Sequence, residues 1–404
     1  MLCRVLHLVQ IAVSKGSVGG TERQEYASQS DLAQLHLGAK VDPGLKLKSM
    51  ELRGSISILS LFDVCEEIRL KDLPPFIQGK AVTPSFKHTA PEYVRFERPP
   101  VVEAIEPVVI QSGERFDATL QYYDYGVISL LLRFPFACDW KGLQELAARW
   151  VSGTTFDELA RRIVREKVAV MRPALVRPYE SWLDEDYSIF HVLSDPGMES
   201  TKVIAKHGQE IAQIVRGETG MLSDSERAEV MQASMSYYPY DLTVVGWNAA
   251  FVLDTEQGGE ATRLLLEYAN SQLLQFRHYD ELLTRELREV YRFIQRRAGV
   301  FAGWRMRPAA TRLRTIVLEV TELTERTTAA LKFVGDMFTA RLYKMCVARI
   351  GVSDFQALVA DKLRTAEELY SVMIDQFQQS RGFVLELMVV IILIIELAFV
   401  FRGK

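Results

Sequence analysis

The sequence predicts an α+β head domain followed by a long antiparallel helical bundle, coiled-coil-like in character, and one C-terminal transmembrane helix. Three observations predict it. Residues 50–257 alternate short strand-like runs with short helical ones. Residues 258–381 carry apolar positions spaced by threes and fours. Residues 382–401 are almost continuously apolar.

The head begins at SISILSLF (Ser55–Phe62), read as a strand, with FDVCEEIRLKDL (Phe62–Leu73) read as helical. Gly79–Pro100, with four prolines, reads as a linking loop. RFDATLQYY (Arg115–Tyr123) and VISLLLRFPF (Val127–Phe136) flank Asp124-Tyr125-Gly126, a hairpin signal. Helices are expected near Lys141–Val151, Thr155–Met171 and Thr201–Arg216, and a strand at Asp186–Leu193. A second hairpin, Ala233–Trp247, should turn at Pro239.

The bundle follows Gly258-Gly259. Leu266, Ala269, Leu273 and Phe276 lead one narrow apolar seam. Leu313, Ile316, Val320 and Leu323 lead the second, and Val359, Leu363, Ala366 and Tyr370 the third. The helices are expected at about 260–298, 310–348 and from Ser353 onward, with Gly351 ending the second and Gly335 a bend point. The third shows no breaker before Gly382, so it should run on as a rod of about 70 Å.

Residues 1–49 read as a disordered N-terminal segment or a gene-model extension, with Met50 a candidate start. A secretory leader is not expected, because VLHLVQIAV is short and no cleavage site follows.

Composition narrows function. The 404 residues carry a net charge of -4, with 48% hydrophobic and 25% charged, ordinary values for a globular chain. That balance excludes a wholly basic nucleic-acid binder. Cys3, Cys65, Cys138 and Cys346 are far apart, and the six histidines show no HxxxH or HExxH spacing. Buried free thiols, no metal and no cofactor follow. Nucleotide and hydrolase motifs are absent, so no catalytic residue is assigned and no enzyme is expected. The acids Asp184-Glu185-Asp186 read better as a loop before a strand than as a metal site.

Two features carry more information. The tail from Gly382 to Phe401 lies between Arg381 and Arg402 and contains Glu386 and Glu396. Glu396 reaches headgroups, faces other helices of an oligomer, or serves proton or ion conduction. Between the first two long helices cluster seven arginines, with Phe301 among them. Trp304, Arg305, Arg307, Arg312 and Arg314 are the candidate lipid or RNA contact there; a solvated connection is the plainer reading. The basic run Arg161, Arg162, Arg165, Lys167, Arg172 and Arg177 reads as an exposed helix face.

The stretch LRTAEELYSVMIDQFQQSRGFVLELMVVIILIIEL (Leu363–Leu397) resembles the C-terminal signature of the "required for meiotic nuclear division" family, also called YagE-type. Leu385-Glu386 and Glu396 occupy the signature's positions. FDATLQYYDYGVISLLLRFPF and YYPYDLTVVGWNAAFVL resemble its hairpin and its strand-to-helix join. The resemblance implies a single-pass protein of the bacterial or mitochondrial inner membrane, head facing cytoplasm or matrix. It also implies self-association and, for mitochondrial members, a link to organellar translation. It supplies no catalytic residues.

The expected function is thus a membrane-tethered, self-associating scaffold or adaptor. Its partners would be the lipid bilayer, further copies of itself and a protein or ribosomal component, with no small-molecule substrate. The alternative is a subunit of a CorA-like ion transport assembly.

Overall fold

The strand-forming runs of the head are rich in β-branched and aromatic residues, and the structure gathers them into one sheet. In the computed structural model the described residues are 51–75, 77, 94–96, 99–110, 112–151, 153, 156–295, 302–329, 331–333 and 337–402. The expectations for residues 1–49 and for Gly335 fall outside them.

Strands β1 (Leu52–Ile68), β2 (Val94–Phe96), β3 (Val101–Val109), β4 (Arg115–Tyr122) and β5 (Val127–Cys138) lead the chain. Helices α1 (Trp140–Val151) and α2 (Asp157–Met171) follow, then β6 (Leu175–Leu193), α3 (Ser200–Arg216) and α4 (Asp224–Gln232). Next come β7 (Ser234–Met235), β8 (Leu242–Val245), β9 (Ala249–Asp254) and α5 (Glu256–Gln295). The rest is α6 (Ala302–Ala329), β10 (Leu331–Phe333), α7 (Met337–Ile350) and α8 (Val352–Arg402).

Eight strands form a mixed sheet in the order β3-β4-β5-β1-β6-β9-β8-β7. Every pairing is antiparallel except β6 with β9. Both expected hairpins form, β4–β5 and β7–β8. Gly126 closes the first at φ 90°. A Cβ there would lie 1.8 Å from the Cys65 carbonyl oxygen, so only glycine fits.

β1 is central and buried on both faces. Its side chains alternate: Ile56, Ile58, Phe62 and Val64 join the core beneath α1–α3, while Leu59 and Leu61 join the core beneath α5 and α7. Trp150, Ala160 and Ile211 fill the first core; Leu266, Leu273 and Phe276 fill the second. The result is three layers, with the sheet between helices.

The structure departs from expectation at several elements. Phe62–Ile68 is strand rather than helix, because Cys65, Glu67 and Ile68 find partners on β6. The second long helix is not continuous. Leu331–Phe333 leave it to pair with Val94–Phe96, inside the expected linking loop. Here sheet pairing overrides helical periodicity. The third helix does run unbroken, Val352–Arg402.

The transmembrane helix is overturned. Among the described residues no helix is long and apolar enough to cross a membrane. At the apolar end of α8 the unbroken run of described side chains is Leu385–Phe399, with Glu386 and Glu396 inside it. That falls short of the roughly 20 apolar residues a crossing takes. The single-pass membrane location and the orientation of the head fall with it.

Candidate functional site

Beyond the sheet, α5 continues outward and packs with α6 and α8. Leu287, Val290, Ala310, Leu313, Ala366 and Met373 form a small separate core there. It brings together all three predicted seams, and its narrowness is what a helix pair plus a third neighbour requires.

The predicted site residues lie on two parts of this assembly. Gly382, Glu386, Glu396 and Phe401 are exposed on α8. Around them Leu385 to Phe401 leave large apolar side chains in the open, among them Ile394 at 60% and Phe401 at 75% exposure. Arg312 is exposed and paired with Glu286 at 2.6 Å, with Glu289 3.7 Å away. Arg314 is exposed. Trp304, Arg305 and Arg307 belong to α6, but their side chains are outside those described, as are Arg296, Arg297 and Phe301.

Of the basic run, Arg162, Arg165 and Arg172 are exposed as expected, and the other three residues are held in ion pairs. Arg161 pairs with Asp184, Lys167 with Glu103, and Arg177 with Glu66 and Glu319. Glu185 pairs with Arg277, so two of the three acids of the run are held in ion pairs, and all three lie within β6 rather than in a loop before a strand. Among the described residues no group of three or more His, Cys, Asp or Glu is placed to hold a metal.

The structure also forms a cleft of about 560 Å³ that sequence reasoning missed, between the bottom of β1 and β6 and helices α5 and α6. It lies beside a large bulge in β6. Asp63 pairs with Leu183 and Cys65 with Pro178, so Tyr179 to Trp182 stand opposite Val64 alone. The bulged segment is thrown against α5. Arg177, beside it, holds φ 46° and is the only described non-glycine residue with positive φ.

At the base of the cleft Asp63, fully buried on β1, meets His278 of α5 with Oδ2 2.8 Å from Nδ1. The Asp63 Oδ1 accepts from Gln275 Nε2 at 2.9 Å, and Gln275 in turn accepts from the Tyr279 hydroxyl at 2.7 Å. Tyr179 stacks on the His278 ring, centroids 4.6 Å apart. Burial pushes the Asp63 carboxyl above its usual range, and its contacts with His278 and Gln275 only partly offset this. With Nδ1 turned to Asp63, Nε2 of His278 is left for the cleft. The local sequence signal was faint: Asp63 sits in an apolar strand, where a buried carboxylate needs a partner.

A second polar seam joins sheet to helix nearby. Glu267, wholly buried on α5, accepts from Gln121 at 2.9 Å and pairs with Arg263. Arg263 also holds Glu260, which pairs with Arg133 of β5. Burial alone would push the Glu260 carboxyl up, but the two guanidiniums outweigh it and hold it below its usual range.

Residues 53–260 match the family described as "Uncharacterized protein MJ0711, N-terminal domain". That is more than half of the chain, and the chain belongs to that family. The family differs from the YagE-type one named on the tail and hairpin motifs, and that assignment is corrected accordingly. No curated protein matches, and no solved structure matches.

Proposed function

We propose that this chain is a self-associating, non-catalytic scaffold that assembles through the distal half of α8. One observation supports the reading most. From Leu385 to Phe401 the helix is apolar apart from Glu386 and Glu396, and its described large apolar side chains are exposed at 44% or more. Soluble monomers rarely leave so large a contiguous apolar surface open. Completing the burial of such side chains is worth on the order of 1 kcal/mol each.

A second copy of the same helix is the favoured cover. Glu386 and Glu396 break the apolar run at two points, and an acid between helices fixes register and copy number at some cost in stability. The three-layer head would then present its partner-recognition surface at the end of an assembled stalk.

The test is the mass of the full chain by light scattering in mild detergent. The wild type should be a discrete oligomer, and Glu396→Leu should change its copy number. A monomeric wild type, or a monomer recovered with lipid vesicles in flotation, would sink the proposal.

A further inference from the structure

The cleft at the base of the sheet is built more carefully than a helix contact needs. The chain from Tyr279 through Gln275 to Asp63 fixes one face of His278, and the Tyr179 ring fixes its plane. No described group occupies its Nε2, which is an acceptor in the neutral ring whose proton sits on Nδ1, 2.8 Å from the Asp63 Oδ2.

The charge of the cleft is uneven. Five glutamates and three arginines line it. Arg177 is held between Glu66 and Glu319, and Arg312 by Glu286. Arg285 lies 3.8 Å from that same Glu286. Glu180 on the bulge and Glu281 on α5 both line the cleft, and neither has a basic partner among the described residues. Behind His278, Asp63 adds a further carboxyl. Trp182 and Tyr179 supply aromatic surface on the bulge side.

We infer that this cleft binds an organic cation carrying N–H groups, of the polyamine or primary-amine class. An ammonium donates to His278 Nε2 and is drawn by Glu180 and Glu281, while its methylene chain and charge lie along the Trp182 and Tyr179 rings. An anion finds only arginines already paired. A quaternary ammonium meets the same charge and aromatic surface but has no proton for Nε2. Because the walls come from the sheet, α5 and α6, an occupant ties the head to the first turns of the stalk.

Isothermal titration of the full chain with spermidine, tetramethylammonium and inorganic phosphate tests it. Spermidine should bind saturably and tetramethylammonium at least about tenfold more weakly, with phosphate silent. Both glutamates are exposed, so Glu180→Gln with Glu281→Gln should leave the protein folded and weaken spermidine by about tenfold or more. His278→Gln should weaken spermidine but not tetramethylammonium. Glu145→Gln, on α1 beside Lys141, should change nothing. No saturable spermidine binding, equal affinity for tetramethylammonium, or equal loss in the Glu145 variant would overturn the assignment.

Discussion

Arg263 and Glu267, one turn apart on α5, form an ion pair that is almost entirely shut away from water between helix and sheet. The pair carries a large desolvation cost, and each member is tolerable only because the other is there. Arg263→Ala should therefore destabilise the fold by about 3–5 kcal/mol, read by denaturant unfolding. Replacing both with apolar residues of similar volume should recover most of that loss. If Arg263→Ala unfolds at the wild-type midpoint, the pair is not holding helix to sheet.

Glu260 gives the pH counterpart. Its carboxyl titrates below its usual range in the folded chain, held there by Arg263 and Arg133 against the effect of burial. The unfolded chain then binds the proton more readily, so this contribution is present above the ordinary glutamate value, about 4.3, and is lost as pH falls through the folded one. Glu260 is 42% exposed, so solvent screening limits the contribution to about 1 kcal/mol or less. Glu260→Gln should flatten the fall in thermal midpoint below that pH. An identical acid profile in both proteins would contradict the assignment.

Gly126 sits where the β4–β5 hairpin presses on β1. Gly126→Ala combines an unfavourable φ with an overlap against backbone, which cannot move aside. It should cost at least ~2 kcal/mol, near the upper range for a single change. Unfolding indistinguishable from wild type would mean the hairpin approaches β1 less closely than described.

The thiols divide by position. Burial pushes Cys65 and Cys346 up to about 12, with the Asp63 carboxyl adding to the effect at Cys65. Cys138 is pushed up to about 11 but is partly exposed. Iodoacetamide at neutral pH should leave Cys65 and Cys346 unmodified until the fold is opened by denaturant. Peptide mapping that finds either one alkylated in the native protein would contradict their burial.

How much of this was legible depends on where each signal lives. The Asp124-Tyr125-Gly126 turn is local chemistry, so the hairpin could be read directly. The seams of α5 and α8 are periodic over many turns and survived for that reason. Phe62–Ile68 and Leu331–Phe333 were misread because their strands form only against partners far along the chain, which no local window contains. The His278 cleft was illegible for the same reason. Asp63 and His278 look unrelated until a bulge in β6 and the packing of α5 bring them together. The tail was read from composition as membrane-spanning, whereas the described side chains at the end of α8 form an exposed apolar run too short for that.

The central claim is that the distal half of α8 joins copies of the chain. Sedimentation equilibrium of the full chain, wild type against Ile391→Lys with Ile394→Lys, tests it most directly. Both residues are about half exposed, so the changes should leave the fold intact while placing charge in the contact. The account predicts a discrete oligomer for the wild type and a folded monomer for the variant. A wild type that sediments as a monomer, or a variant of unchanged mass, would contradict it.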